Sequence, residues 1–362
     1  MQTRPIIATV VALASAVAVS SCSDDKPTAP DTTPSWTEEA LPAGLEMGYL
    51  SAITVSGDRA VAVGTRSADF SPFAVERTNE GWELLELPEV PFRAIPAGVV
   101  LTEAGDPIIV GVAIDEGGGF NAFIIDGRTE PASLIEFDRD NEDVFLYSVA
   151  VGDGAAMAVG LASGGFALRS VTAGAWTDVP PSPIGQQELG LNDVQYVDGR
   201  FVACGFDDGG PPYAIFATYE NRAWSMDEIP GVDLDPRCLE ELPDGTLLVG
   251  GQRFESSTSS DYAFLQARDP GTNAWIPLGV PGSPRPGTVQ DLYATSSGEV
   301  RAALSTWSAN VPGGIVRSGR MEYELSGAIV AIAGSANGTL YAVGHENLAG
   351  GDFRPVLLVR EP

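Results

Sequence analysis

The sequence predicts an all-β chain folded as a seven-bladed β-propeller whose N-terminal strand completes the last blade. Three observations predict it. Glycine turns recur roughly every 40–50 residues. Each is followed by a short apolar run that does not alternate with polar residues. A tryptophan opens the last strand of most copies.

The chain does not begin with this repeat. Arg4 is followed by an apolar run from Ile6 to Val19. That run is shorter than the ~20 residues a membrane-spanning helix needs, and it suits the core of a signal peptide. Val19-Ser20-Ser21-Cys22 closes it. This resembles the bacterial lipobox, in which the cysteine is lipidated and becomes the first mature residue. Residues 1–21 are therefore expected to be a lipoprotein signal peptide. Residues 22–34 are expected to be the lipidated Cys22 and a flexible tether, because Pro27, Pro30 and Pro34 stand among small, polar and acidic residues. Ser23 is not the aspartate that retains many lipoproteins at the inner membrane, so an outer-membrane or cell-surface location is expected. The membrane would be touched through the lipid alone.

Residues 35–362 carry the repeat. The turns are Gly57-Asp58, Gly105-Asp106, Asp153-Gly154, Asp198-Gly199, Asp244-Gly245, Ser297-Gly298 and Asn337-Gly338. Gly, Asn and Asp tolerate the positive φ that two-residue hairpins demand. The strands after them, such as Ala60-Val61-Ala62-Val63-Gly64 and Ala156-Met157-Ala158-Val159-Gly160, mostly end in glycine; the sixth copy, Val300 to Leu304, does not. Unbroken apolar runs of this length imply strands buried on both faces. A third strand follows at Phe73-Ala74-Val75 and its counterparts. A fourth opens at Trp36, Trp82, Trp176, Trp224 and Trp275, with Tyr323 in the sixth copy. Four strands per period is the propeller signature. The last copy ends after its third strand, and Trp36 to Leu41 has no partners before it. Pairing the two ends supplies the missing strand and covers an open edge.

The glycine-turn, Val-Gly and tryptophan pattern, spread over residues 35–362, resembles the Asp-box (sialidase-type repeat) and photosystem-assembly-factor-like propellers. The copies are degenerate. Ser170-x-Thr172-x-Gly174-x-Trp176 lacks the acid, Ala267-x-Asp269-x-Gly271 lacks the hydroxyl, and Thr218-x-Glu220 reaches Trp224 without the glycine. The resemblance implies the fold and a structural turn, and it leaves the activity open.

Composition narrows the function. The formal net charge is −29, with one lysine and nineteen arginines. Such a surface repels phosphate backbones, so no nucleic acid is expected. One histidine and three cysteines leave no set for a multi-ligand zinc site, and no metal or cofactor is expected. The acidic runs Asp138-x-Asp140-Asn141-Glu142-Asp143 and Asp207-Asp208 lack a calcium-loop spacing and are expected to be solvated. A sialidase-like glycosidase would need converging arginines, for which Arg66, Arg253 and Arg317 are available.

The connections between second and third strands are the long, variable ones, whereas the opposite turns are tight. Chemistry is expected on the long-loop side. Arg66, Asp207, Arg253, Trp307 and His345 are the candidate ligand-binding residues there. Trp307 stands outside the tryptophan period. The expected function is a monomeric, envelope-anchored module that binds a protein, peptide or glycan on this face; the alternative is a degenerate glycan-acting enzyme using the same face. No catalytic residue is assigned. Export also predicts a disulfide between Cys204 and Cys238, which fall on strands of neighbouring copies.

Overall fold

The computed structural model describes residues 35–362 apart from 116, 138–141, 164, 182–187, 208–212, 232, 256–259, 279–285, 307–311 and 318–319. The expected leader, Cys22 and the tether lie outside the described residues.

The described residues form 28 strands and no helix. In the first unit, Gly48–Ser56, Arg59–Arg66, Pro72–Thr78 and Gly81–Leu85 pair antiparallel in chain order. The same arrangement repeats over 93–137, 145–178, 188–228, 234–278 and 288–325. The seventh unit takes three strands from 327–360, and Thr37–Glu38 pairs with its last strand at Val359 and Leu358. The N-terminal strand thus completes the last unit, as its lone tryptophan implied.

The first strand of each unit lies beside the first strand of the next, and that of the seventh returns to the first. Seven innermost strands therefore surround one axis. The second strands are the most buried, with Val61, Ala62 and Val63 inaccessible to solvent. Their lack of polar alternation follows from packing against a neighbouring unit on each face. Asp153-Gly154 and Asp198-Gly199 hold positive φ at both residues, the geometry of a two-residue hairpin turn.

Each innermost strand carries a one-residue bulge at the same place. The extra residues are Ser51, Ala97, Tyr147, Asn192, Arg237, Gln290 and Val330. The bulge accounts for the repeated glycine of the second strand. A methyl group on Gly64 would overlap the main-chain oxygen of Tyr49, and one on Gly160 would overlap that of Phe145. In the sixth unit Leu304 takes the glycine's place and sits opposite Gly314 of the third strand, where the first unit has Gly64 opposite Phe73, so large and small have exchanged strands. Pro96 and Pro236 precede two of the bulges. Proline is tolerated there because an innermost strand has no further strand to receive its N–H.

The bulge also corrects the disulfide expectation. Cys204 and Cys238 are free, buried thiols. Side chains alternate across a strand, and one extra residue flips the alternation. Cys238 follows the bulged Arg237, so it packs with Val289, Leu292 and Leu304 towards unit six. Cys204 packs with Leu234 and Leu239 between units four and five. The unit-five sheet separates the two thiols, and the bridge is not made.

Candidate functional site

The repeat tryptophans explain how the units hold together, and therefore which residues are free for function. Four of the indole N–H groups reach back to the preceding unit, and Trp275 does so through its ring, against Phe216. Trp82 donates to Glu39 at 2.6 Å, Trp176 to Asp126 at 3.1 Å, Trp36 to Glu322 at 3.3 Å and Trp224 to the Val179 carbonyl at 2.8 Å. Three of these acceptors are carboxylates that also bind arginines: Glu39 with Arg77, Asp126 with Arg128, and Glu322 with Arg301 and Arg317. The turn at Gly174 has no acid of its own. Its N–H donates to Asp126 of the unit before, which supplies the missing group. Asp269 serves its own turn by accepting from the Gly271 and Thr272 amides.

A second set of acids ties the innermost strands. Asp193 accepts from the Ser148 hydroxyl of unit three at 2.6 Å and from the Leu239 amide of unit five at 2.8 Å. Asp291 of unit six accepts from the Ile332 amide of unit seven at 2.8 Å, and Glu240 of unit five from the Ala294 amide of unit six at 2.7 Å. Burial pushes Asp193 up to about 6 and Glu240 up to about 7, and Asp291 is raised well above the carboxylate range by the same cause. These groups are structural ties, and nothing in the sequence pattern marked them.

The long connections do share one face. The Phe70 carbonyl accepts from Ala94, that of Phe120 from Val144 and that of Asp261 from Gly287. Each bond joins the start of a third strand, or the loop just before it, to the start of the next unit's first strand. On this face the described candidate residues lie at or near the ends of second strands and not in loops. Arg66, Asp207 and Arg253 occupy one equivalent position in units one, four and five, two residues after Gly64, Gly205 and Gly251. They are therefore distributed around the ring. Arg66 donates to Ser71 and lies over Phe73; Asp207 accepts from the Tyr213 hydroxyl at 2.9 Å; Arg253 is exposed. Trp307 lies outside the described residues, as do Asp138, Asp140, Asn141 and Asp208.

His345 belongs to an aromatic cluster where units seven and one meet. Its ring lies 4.8 Å from Phe353 and 6.3 Å from Tyr49. Burial pushes its pKa below the usual imidazole value, and its Nδ1 has no partner. A second cluster, Phe120, Phe145 and Tyr147, sits between units two and three. Sequence reasoning missed Met47, Tyr213, Phe254 and Phe353, large apolar side chains on this face that are 36–49% exposed. The signal was there for three of them: an aromatic directly flanking a long connection.

The three arginines of a sialidase-like site are not brought together. Arg317 ends the third strand of unit six, on the hairpin side, bound to Glu299 and Glu322. Among the described residues no three His, Cys, Asp or Glu side chains converge as a metal site.

No protein-family model matches the chain, and no curated protein matches it. Solved structures do. The structure of YCF48 bound to D1 peptide superposes with a TM-score of 0.56 at 15% identity, covering 90% of this chain and 96% of that one. The WD40 repeats of RRP9 superpose at 0.58 and 12% identity, covering 91% and 98%. A protein of unknown function from Dyadobacter fermentans superposes at 0.50 and 11% identity, covering 90% and 98%. At these identities the likeness is one of fold, and the fold is a β-propeller.

Proposed function

We propose that the chain is an envelope-anchored propeller that binds a protein or peptide on its long-loop face. One observation carries the reading. Met47, Tyr213, Phe254 and Phe353 stand partly exposed on that face at units one, four, five and seven. Exposed apolar side chains set among charges are the usual composition of a recognition surface. The opposite face offers tight turns with little side-chain reach. A propeller solved with a bound peptide, YCF48 with D1 peptide, is among the structures of the same fold, which supports a peptide as occupant over a glycan. Arg66, Asp207, Arg253, Trp307 and His345 would surround the contact. Anchoring rests on the sequence: Cys22 carries the lipid and 23–34 spaces the propeller from the bilayer.

The test uses the Cys22→Ala chain, which should leave the membrane fraction. Peptides selected from a displayed random library against it should lose about thirtyfold in affinity with Phe254→Ala plus Phe353→Ala, the scale of two interface aromatics. Leu84→Ala plus Met226→Ala, on outer strands, should change nothing. Equal losses in both pairs would mean that the face has been misassigned.

A further inference from the structure

The seam between units three and four differs from its neighbours. In unit two, Asp126 ends the third strand and faces unit three, where it takes the Trp176 N–H and the Arg128 guanidinium. The equivalent residue of unit three is Arg169: Phe166 lies opposite Gly160 as Phe123 lies opposite Gly111, and Arg169 follows three residues on as Asp126 does. An acid has been replaced by a base. The partner positions have changed too. Glu39 and Arg77 form the ion pair of the seam between units seven and one, and Asp227 and Arg268 that between four and five. Their equivalents here, three residues after Trp176 and opposite Trp224, are Val179 and Tyr219.

The result is a cavity of about 330 Å³ lined by Arg169, Val171, Ala175, Val179, Tyr219 and Arg222, with Thr172 and Thr177. Val171 is 61% exposed. Neither guanidinium forms an ion pair or hydrogen bond among the described residues. In a chain of net charge −29, acids to neutralise them are abundant, yet this seam presents none on them. The volume falls within the roughly 300–1,000 Å³ of small-molecule sites, which argues against a docked chain segment. Guanidinium groups prefer planar or tetrahedral oxyanions, and Val171, Val179 and the Tyr219 ring offer an apolar wall.

We infer that this rim groove, separate from the long-loop face, binds a small amphipathic anion: an apolar body on Val171, Val179 and Tyr219 with its oxyanion between Arg169 and Arg222. The neighbouring seam shows the chemistry in miniature, a carboxylate set among an arginine, a tryptophan and main-chain amides.

The probe is 8-anilinonaphthalene-1-sulfonate, titrated by fluorescence into the native chain. One saturable site is expected, with dodecanoate displacing the dye and dodecanol not doing so. The double substitution Arg169→Gln and Arg222→Gln should weaken binding about tenfold or more with the melting temperature unchanged. Arg320→Gln, an exposed arginine of unit six, should leave affinity as it was. Absence of a saturable site, equal affinity in the double variant, or displacement by dodecanol as effective as by dodecanoate would each overturn the inference.

Discussion

Asp126 and Asp193 are both buried aspartates that tie one unit to the next, and their acidities are shifted in opposite directions. Asp126 sits at the outer rim. Burial opposes its charge, but the Arg128 side chain and the Gly174 and Arg128 amides outweigh burial and hold it at about 2. Asp193 sits at the centre, where it receives a hydroxyl and two amides and no cation. Burial wins there, and the carboxyl rises to about 6. The difference teaches where this acidic chain keeps its charge. Ion pairs join the units at the rim, where their ends still meet water, whereas the centre is joined by hydrogen bonds to carboxyl groups that have no cation beside them and whose charge burial disfavours.

The strongest way to break that comparison is to remove the rim charge. Asp126→Asn leaves Arg128, whose side chain is 14% exposed, without its counter-ion. Breaking a buried pair this way costs about 3–5 kcal/mol, roughly a 5–10 °C fall in melting temperature. Calorimetry checks this. A double-mutant cycle with Arg128→Met should show the second change costing much less once the first is made. A variant that melts within about a degree of the native chain would show that the pair contributes nothing as a tie.

The rim was largely legible in the sequence, and the centre was not. Trp36, Trp82, Trp176, Trp224 and Trp275 recur because each must span to the unit before it, so the period of packing is written as a period of residues. The glycine turns are legible for the same reason. The bulges at Ser51, Ala97, Tyr147, Asn192, Arg237, Gln290 and Val330 share no residue type. They are a property of register, which only cross-strand pairing reveals, and they misdirected the expected Cys204–Cys238 bridge by flipping Cys238. The candidate face was found from loop length, but its apolar residues were not. Loop length says where side chains can vary, whereas exposure of Phe254 or Phe353 depends on how neighbouring units pack.

The pH dependence sharpens the comparison, because the two aspartates act with opposite sign. Asp193 and Glu240 have raised values, about 6 and about 7. Their contribution is fully present below the unfolded values of 3.8 and 4.5, and it is lost as pH rises through 6 and 7. Asp126 has a depressed value, so its contribution is present above 3.8 and is lost as pH falls towards 2. Stability should therefore peak in mildly acidic buffer and fall on both sides. Each pKa unit corresponds to about 1.4 kcal/mol, so the alkaline fall attributable to Asp193 is of order 3 kcal/mol. Urea titrations from pH 3 to 8 should show Asp193→Asn flattening the limb above pH 5 and sparing the limb below pH 4. An unchanged upper limb would mean that Asp193 is ionised throughout.

The smallest expected effect separates the seams themselves. Trp176→Phe and Trp224→Phe each keep a ring and delete one N–H. In the first, the lost acceptor is the Asp126 carboxylate; in the second, it is the neutral Val179 carbonyl. Hydrogen bonds to charged groups contribute about 1.5–3 kcal/mol and neutral ones about 0.5–1.5 kcal/mol. Trp176→Phe should thus cost about 1 kcal/mol more than Trp224→Phe, measured by urea midpoint at unchanged slope. The gap should close in the Asp126→Asn background, because both indoles then face neutral acceptors. If Trp224→Phe proved the costlier of the two, the rim of the seam between units three and four would be tied by more than a single neutral bond. The replacement of its ion pair by Val179 and Tyr219 would then be a gain in packing instead of a loss of charge.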